Sequence, residues 1–264
     1  AMAQDTPAQQ AATLDTVSVT AARKTETIQD VPVSISTVSG EKLDALVSGG
    51  TDIRFLSGRV PSLNIESSFG RAFPRFYIRG YGNTDFRMNT SQPVSLVYDD
   101  IVQENPILKG FPLFDIQQVE VLRGPQGSLF GRNTPAGVVK FDSVRPSQET
   151  EGYAKVGYGS DNLWNVEGAV GGALSERWSA RASMLYQRRD DWVTNTGTGP
   201  NDGLEGYDES AARVQFLYEG EDFQALFGAH ARRLNGTARL FRGNIFKPGS
   251  NDFVEGFDEN SIAI

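Results

Sequence analysis

The sequence predicts two architectures in succession. An α+β domain, a small mixed sheet with short helices, is followed by the first antiparallel strands of a transmembrane β-barrel. Three observations carry this. From Val119 to Phe141 the chain reads VEVLRGPQGSLFGRNTPAGVVKF: a strand, a compact turn, then a second strand from Gly137 to Ser143. Gly124, Pro125, Gly127, Gly131, Pro135 and Gly137 punctuate it. Glycine admits positive φ and close backbone approach, and proline fixes φ and removes a donor, so this is a structured turn between strands. Second, the pattern changes after Arg145-Pro146-Ser147-Gln148. Third, the chain beyond that point alternates apolar and polar residues over stretches near the ~10 residues of a barrel strand.

Composition limits the alternatives. The 264 residues contain no cysteine and one histidine and carry a formal net charge of -8. A disulfide scaffold, a zinc-thiolate site and a cysteine nucleophile are excluded. The acidic balance argues against a nucleic-acid partner, which usually meets a basic face. No run approaches the ~20 apolar residues of a membrane helix. Alternating barrel strands leave a weaker hydropathy signal, so the mean hydropathy of -0.36 suits them and a soluble β protein equally.

Taken in order, Ala1-Met2-Ala3-Gln4 ends like an A-x-A signal-peptide cleavage site, or is a cloning scar. Residues 1–13 are small and polar and are expected to be disordered. Leu14, Asp15, Thr16, Val17, Ser18, Val19, Thr20 and Ala21 form a β-prone run between polar stretches. A strand is expected from Val31 to Ser39, with Pro32 at an edge, then a helix from Glu41 to about Val47. Thr51 is a candidate N-cap for a helix through Ile53-Arg54-Phe55-Leu56. Leu63–Glu66 and Arg75–Arg79 read as strands, and Val94–Tyr98 with Ile101–Glu104 as a hairpin. Ile101, β-branched and next to Asp100, puts the usual positive-φ turn of that hairpin in doubt. A phosphate loop is rejected at 124–137, because the GxxxxGK[ST] spacing is absent and no apolar-periodic helix comes after it.

Beyond position 149, Trp178, Ala180, Ala182, Met184 and Tyr186 share one strand face against Ser179, Arg181, Ser183 and Gln187, with Leu185 the exception. Phe223, Ala225, Phe227, Ala229 and Ala231 oppose Gln224, His230 and Arg232 in the same way. Apolar-out, polar-in alternation is the barrel signature, although a soluble sandwich also buries one face. No catalytic constellation emerges. His230 sits on the polar face of a repetitive strand. Asp99-Asp100 and Asp190-Asp191 read as turn residues, because neighbours on a strand point to opposite faces. No metal-ligand spacing is present.

LRGPQGSLFGRNTPAGVV resembles the end of the plug domain of TonB-dependent outer-membrane receptors. Phe76-Tyr77-Ile78-Arg79-Gly80-Tyr81-Gly82 resembles the family's IRG motif, upstream and in the family's order. The plug motif then comprises Ile78, Arg79, Gly80, Glu120, Arg123, Gly124, Pro125, Gly127, Gly131 and Gly137. The resemblance implies a TonB box at 14–21, a plug over 22–148, and barrel strands from 149 to 264. The box is the segment offered to TonB for strand addition, which needs alternating residues and free main-chain donors. It implies an outer-membrane location, lipid around the barrel, and uptake of an extracellular small molecule, with a ferric chelate the default and no cofactor. The apical plug loops would hold Arg71, Phe73, Asp85, Arg87, Gln103, Asn105 and Lys109 as ligand contacts. Arg79, Glu120 and Arg123 would make ion pairs within the plug or to the barrel wall. The 114 residues after position 150 make five or six strands, against about 22 in a plugged transporter. On that arithmetic the sequence reads as a piece of a longer receptor. A passive porin or a soluble β-rich binding module is the competing class.

Overall fold

The computed structural model describes residues 18–20, 25–40, 43, 45, 52–85, 87, 90–197, 199, 202–237 and 240–263. The expected disorder of 1–13, Leu14–Val17 and Ala21 of the N-terminal run, most of the helix expected at 41–47, and Thr51 all lie outside them.

In chain order the first strands are β1 (Ser18–Val19), β2 (Glu26–Thr27), β3 (Ser34–Ser39), β4 (Leu63–Glu66), β5 (Arg75–Ile78), β6 (Tyr81–Gly82), β7 (Val94–Tyr98), β8 (Ile101–Gln103), β9 (Ile116–Arg123) and β10 (Gly137–Ser143). The organising sheet runs β3-β9-β10-β7-β8. β7 and β10 are parallel and the other pairs antiparallel, so the expected small mixed sheet is present. β3 lies at its edge, where Pro32 just ahead costs no ladder bond. Alternation along β9 and β10 gives the sheet two buried faces. Val119, Val121, Val139 and Phe141 join the main core with Leu56, Phe76, Ile78 and Leu96. Leu122 and Val138 face the other way, with Val97, Phe130 and Val19. Each such large side chain contributes about 1.5–3 kcal/mol on burial.

Two local expectations change. The segment after residue 51 is a single 3-10 turn, Ile53–Leu56, capped by Asp52, whose carboxylate accepts from Arg54 N at 3.0 Å. The β7–β8 hairpin keeps its positive-φ turn, with Asp99 at φ 47° and Asp100 at φ 66°. Ile101 already belongs to β8, and aspartate tolerates the left-handed region. The turn after β9 also contains one helical turn, Gly127–Phe130. At Gly137, φ is 150° and an added Cβ would lie 2.2 Å from Leu122 O, so only glycine fits.

The second sheet is an antiparallel meander of β11 (Glu151–Gly159), β12 (Leu163–Ser175), β13 (Trp178–Arg189), β16 (Tyr207–Glu219) and β17 (Gln224–Gly236). Among the described residues it is open at both edges. Beside it β14 (Val193–Asn195) pairs with β15 (Gly203–Leu204) and with β18 (Ser261–Ile262). The burial pattern is inverted relative to a soluble sheet. Val170 is 62% exposed, Met184 53% and Phe227 57%, whereas Glu167, Arg181, Arg213 and Gln215 are buried. The apolar face looks outward and the polar face covers the first domain, as in a lipid-facing barrel wall. Leu185, the exception in the pattern, points inward and packs on Phe114 and Ala211.

Candidate functional site

Buried charges on a strand need partners, and the polar faces of β12, β13, β16 and β17 find theirs on the plug. Asp115, at φ 51° just before β9, is fully buried. Arg181 grips it with two donors, Nε to Oδ2 at 2.8 Å and Nη2 to Oδ1 at 2.6 Å. Arg213 Nη2 donates to its carbonyl at 2.7 Å, and Asp115 N donates to Glu167 Oε1 at 3.0 Å. One plug residue therefore holds three adjacent wall strands. Gln215 Nε2 adds a bond to Ser143 Oγ at 2.9 Å. A second anchor joins Arg71 Nε to Glu209 Oε2 at 2.5 Å, with Arg232 Nε on the other carboxylate oxygen at 2.8 Å. Arg71 also donates to Gln187 and lies 4.0 Å over the Tyr207 ring. His230 meets Tyr98 and Phe111 edge-on at 5.6 and 5.3 Å, an interface ring rather than part of a triad.

The wall also has a direction. β12 to β13 and β16 to β17 connect through short turns at one end, while residues 190–206 and those after Gly236 connect at the other. In outer-membrane barrels the long connections are extracellular. At that end a cavity of about 810 Å³ opens between plug and wall, lined by Arg54, Phe69, Arg71, Arg189, Trp192 and Phe241 among others. A second cavity, about 560 Å³, lies beside Gln92, Glu104, Asn105, Lys109 and Arg132.

The seven expected ligand contacts do not converge. Arg71 lines the larger cavity, but wall residues engage its guanidinium. Phe73 is buried at φ 60°, edge-on to Phe69 at 5.6 Å. Asp85 and Arg87 pair with each other at 2.7 Å, and that guanidinium holds the Asp85 carboxyl well below the usual range. Gln103 belongs to β8, opposite Leu96. Asn105 shapes its own turn, its side chain accepting from Ile107 N at 3.0 Å. Lys109 is buried, donating to Gln92 Oε1 at 2.7 Å and Val94 O at 2.9 Å, and burial pushes it down to about 8.

The plug-motif residues serve backbone geometry more than charge pairing. Ile78 is buried, Arg79 leaves β5 at φ 54°, and Gly80, Gly124 and Gly131 take positive φ. Gly127 opens the one-turn helix just after Pro125. The ion pairs expected of Arg79, Glu120 and Arg123 do not appear among the described residues. Arg123 instead donates to the neutral oxygens Pro61 O (3.1 Å), Ser34 Oγ (3.1 Å) and Ser36 Oγ. Glu120 accepts from Thr20 and Gln118. Of the N-terminal run, Ser18 and Val19 pair with Thr27 and Glu26. Of the charged residues that join plug and wall, Arg71, Arg181 and Arg232 are marked in the sequence for other reasons, whereas Asp115, Glu167, Glu209 and Arg213 are not. Their signal was charge recurring on one face of otherwise apolar strands, and Asp115 in Phe114-Asp115-Ile116 gave none.

A domain filling the polar face of outward-apolar strands is the arrangement of a plugged barrel wall. Residues 27–138 match the TonB-dependent Receptor Plug Domain. The chain is 28% identical over 224 residues to the vitamin B12 transporter BtuB of Vibrio vulnificus, covering 81% of this chain and 34% of that protein. It is 28% identical over 191 residues to the pesticin receptor of Yersinia enterocolitica, covering 72% and 28%. The crystal structure of the ferric yersiniabactin uptake receptor FyuA from Yersinia pestis superposes with a TM-score of 0.69 at 27% identity, over 78% of this chain and 32% of that one. The pyoverdine receptor FpvA of Pseudomonas aeruginosa shares the fold at 20% identity and a TM-score of 0.65, over 81% and 30%. The matched domain is the plug of TonB-dependent receptors, and the chain as a whole is similar to such receptors of the Gram-negative outer membrane. It spans about a third of the length of the curated relatives it matches.

Proposed function

We propose that this chain supplies the plug and first wall strands of a receptor that takes up a ferric-chelate-like ligand, with energy delivered through TonB at residues 14–21. The supporting observation is the character of the plug–wall interface. It is built largely from Asp115, Arg71, Glu209, Arg181 and Arg213, with one small apolar cluster where Leu185 and Ala211 meet Phe114. Charged groups that water can re-solvate separate at lower cost than close-packed apolar surfaces. Such an interface suits a plug that stays seated at rest and shifts under load. Relatives named for vitamin B12 and for ferric yersiniabactin support uptake of a bulky polar chelate. Aromatic and guanidinium groups around the outer cavity suit such a ligand.

The test uses the native receptor carrying this chain. Val17→Pro removes a main-chain donor from the segment without touching the cavity. Uptake of iron-55 chelate by energised cells is expected to fall to the level of a TonB-deficient strain, with equilibrium binding to isolated outer membranes intact. Uptake at the wild-type rate would reject TonB coupling through this segment.

A further inference from the structure

The smaller cavity, about 560 Å³, is lined by plug residues alone and shares none of them with the outer one. Three segments wall it: residues 90–95 leading into β7, residues 104–109 after β8, and Arg132-Asn133 in the turn between β9 and β10. Every side chain that lines it is polar or charged. Hydrogen bonds within the plug pin these segments. Asn105 O accepts from Leu108 N at 3.0 Å and from Lys109 N at 3.3 Å, closing the 3-10 turn that presents Lys109. Ser95 Oγ donates to Asn133 O at 2.9 Å, and Ser91 donates to the Asn133 side chain.

Lys109 is the unusual member. It is 2% exposed, yet both acceptors it reaches, Gln92 Oε1 and Val94 O, are neutral. These bonds use two of the three donors of an ammonium. A buried charge is strongly disfavoured unless an opposite charge meets it. Among the described residues no carboxylate pairs with this one. Gln92 adds a second unused donor. Its Oε1 faces the ammonium, which fixes the way the amide points. Its Nε2 is buried and has no partner among the described residues. Glu104 and Arg132, the other charged groups of the lining, are exposed and stand 4.0 Å apart. They offset each other, so Lys109 sets the sign of the cavity.

The geometry points to an oxyanion site in the plug, where Lys109 and Gln92 bind the carboxylate or phosphate group of a small hydrophilic molecule. An oxyanion supplies the negative charge that the ammonium calls for and acceptors for Gln92 Nε2. The cavity has the volume of a small-molecule site rather than of a bare ion. Its hydroxyl and amide lining, from Thr90, Ser95 and Asn133 among others, suits a ligand rich in hydroxyls. The outer cavity differs, with Phe69, Trp192 and Phe241 in its wall. The site does not depend on what the receptor transports.

Calorimetric titration of the native receptor in detergent tests this, with glucuronate, glucose 6-phosphate and glucose as probes. At about pH 7 at least one of the two acids is expected to bind saturably. Glucose, which has the hydroxyls without the acid, is expected to bind at least about tenfold more weakly. Lys109→Met keeps the bulk, removes the charge and is expected to weaken acid binding by about tenfold or more. Gln92→Glu sets a carboxylate against the ammonium. It is expected to raise the thermal midpoint and abolish acid binding, so it reads the site even where Lys109→Met fails to fold. Both acids stay ionised between about pH 7 and about pH 9, whereas burial sets Lys109 near 8. Affinity is therefore expected to fall about tenfold across that range. No saturable binding of either acid to wild type overturns the site. So does glucose binding as tightly as the acids, or acid binding by Lys109→Met at the wild-type level.

Discussion

Asp115 carries more of the plug–wall contact than any neighbouring residue, and its backbone and side chain do so separately. Its left-handed φ of 51° turns the chain into β9, and its carboxylate holds Arg181. Asparagine tolerates that backbone but cannot neutralise a guanidinium. Asp115→Asn is therefore expected to destabilise the assembled receptor by about 3–5 kcal/mol, the cost of breaking a buried pair from one side. Urea unfolding in detergent measures it, and a loss below about 1 kcal/mol, the level of an exposed pair, contradicts the anchor role. Lys109 makes a different prediction. Burial holds its ammonium near 8, against 10.5 for ordinary lysine, with Glu104 opposing weakly. Between those values the unfolded chain binds a proton that the folded chain does not, so stability rises with pH across the window, falls as pH drops towards about 8, and levels off below it. The stability of wild type relative to Lys109→Met is expected to climb from about pH 8 to about pH 10 and to be level below about pH 7. A difference that is flat throughout contradicts the buried cation.

At the scale of elements, the plug strands were legible because turn residues bracket them, and the wall strands because alternation sustained over a dozen residues fits no helix. Asp52 caps the turn at Ile53, its carboxylate accepting from Arg54 N, whereas the expected cap, Thr51, lies outside the described residues. On sequence alone, the β-branched Ile101 counts against the positive-φ turn at Asp99-Asp100. What fixes it is tertiary, since Asp99 Oδ1 accepts from Ser143 N at 2.8 Å. The ligand contacts were the least legible part. Loop position was visible, but the wall residues that engage Arg71, and the backbone oxygen that engages Lys109, are distant in sequence. For the strand faces, Met184→Arg sets a charge on the outward face at the middle of β13. A cost of about 2–4 kcal/mol is expected if that face meets the bilayer midplane. The arginine replacement should thus impair folding into lipid vesicles, scored by the heat-modifiable gel shift. Folding equal to wild type would place this face in water.

For the whole molecule, the decisive feature is the open wall. Among the described residues β11 and β17 each pair with a strand on one side only, and their outward faces are apolar. Neither is tolerated in lipid, where every backbone polar group must be satisfied, and exposed edges in water recruit other strands. Prepared without further strands to close it, this 264-residue chain is expected to associate through these edges, with limited proteolysis by the non-specific proteinase K releasing a resistant plug that ends between Asp142 and Gln148. A monodisperse, protease-resistant monomer in plain buffer would contradict that picture.

The pairing of β14 with β18 has a consequence for how the outer surface is inherited. Thr194 N donates to Asn260 O at 2.8 Å and Thr196 N to Ile262 O at 2.7 Å, so two connections far apart in sequence share one ladder. Glu205 adds a second tie, its carboxylate accepting from Leu240 N at 2.8 Å. The two connections therefore behave as a single graft. Exchanging residues 190–206 alone between receptors strands the partner segment without its ladder, whereas moving 190–263 as a block, β16 and β17 included, carries the rim across intact.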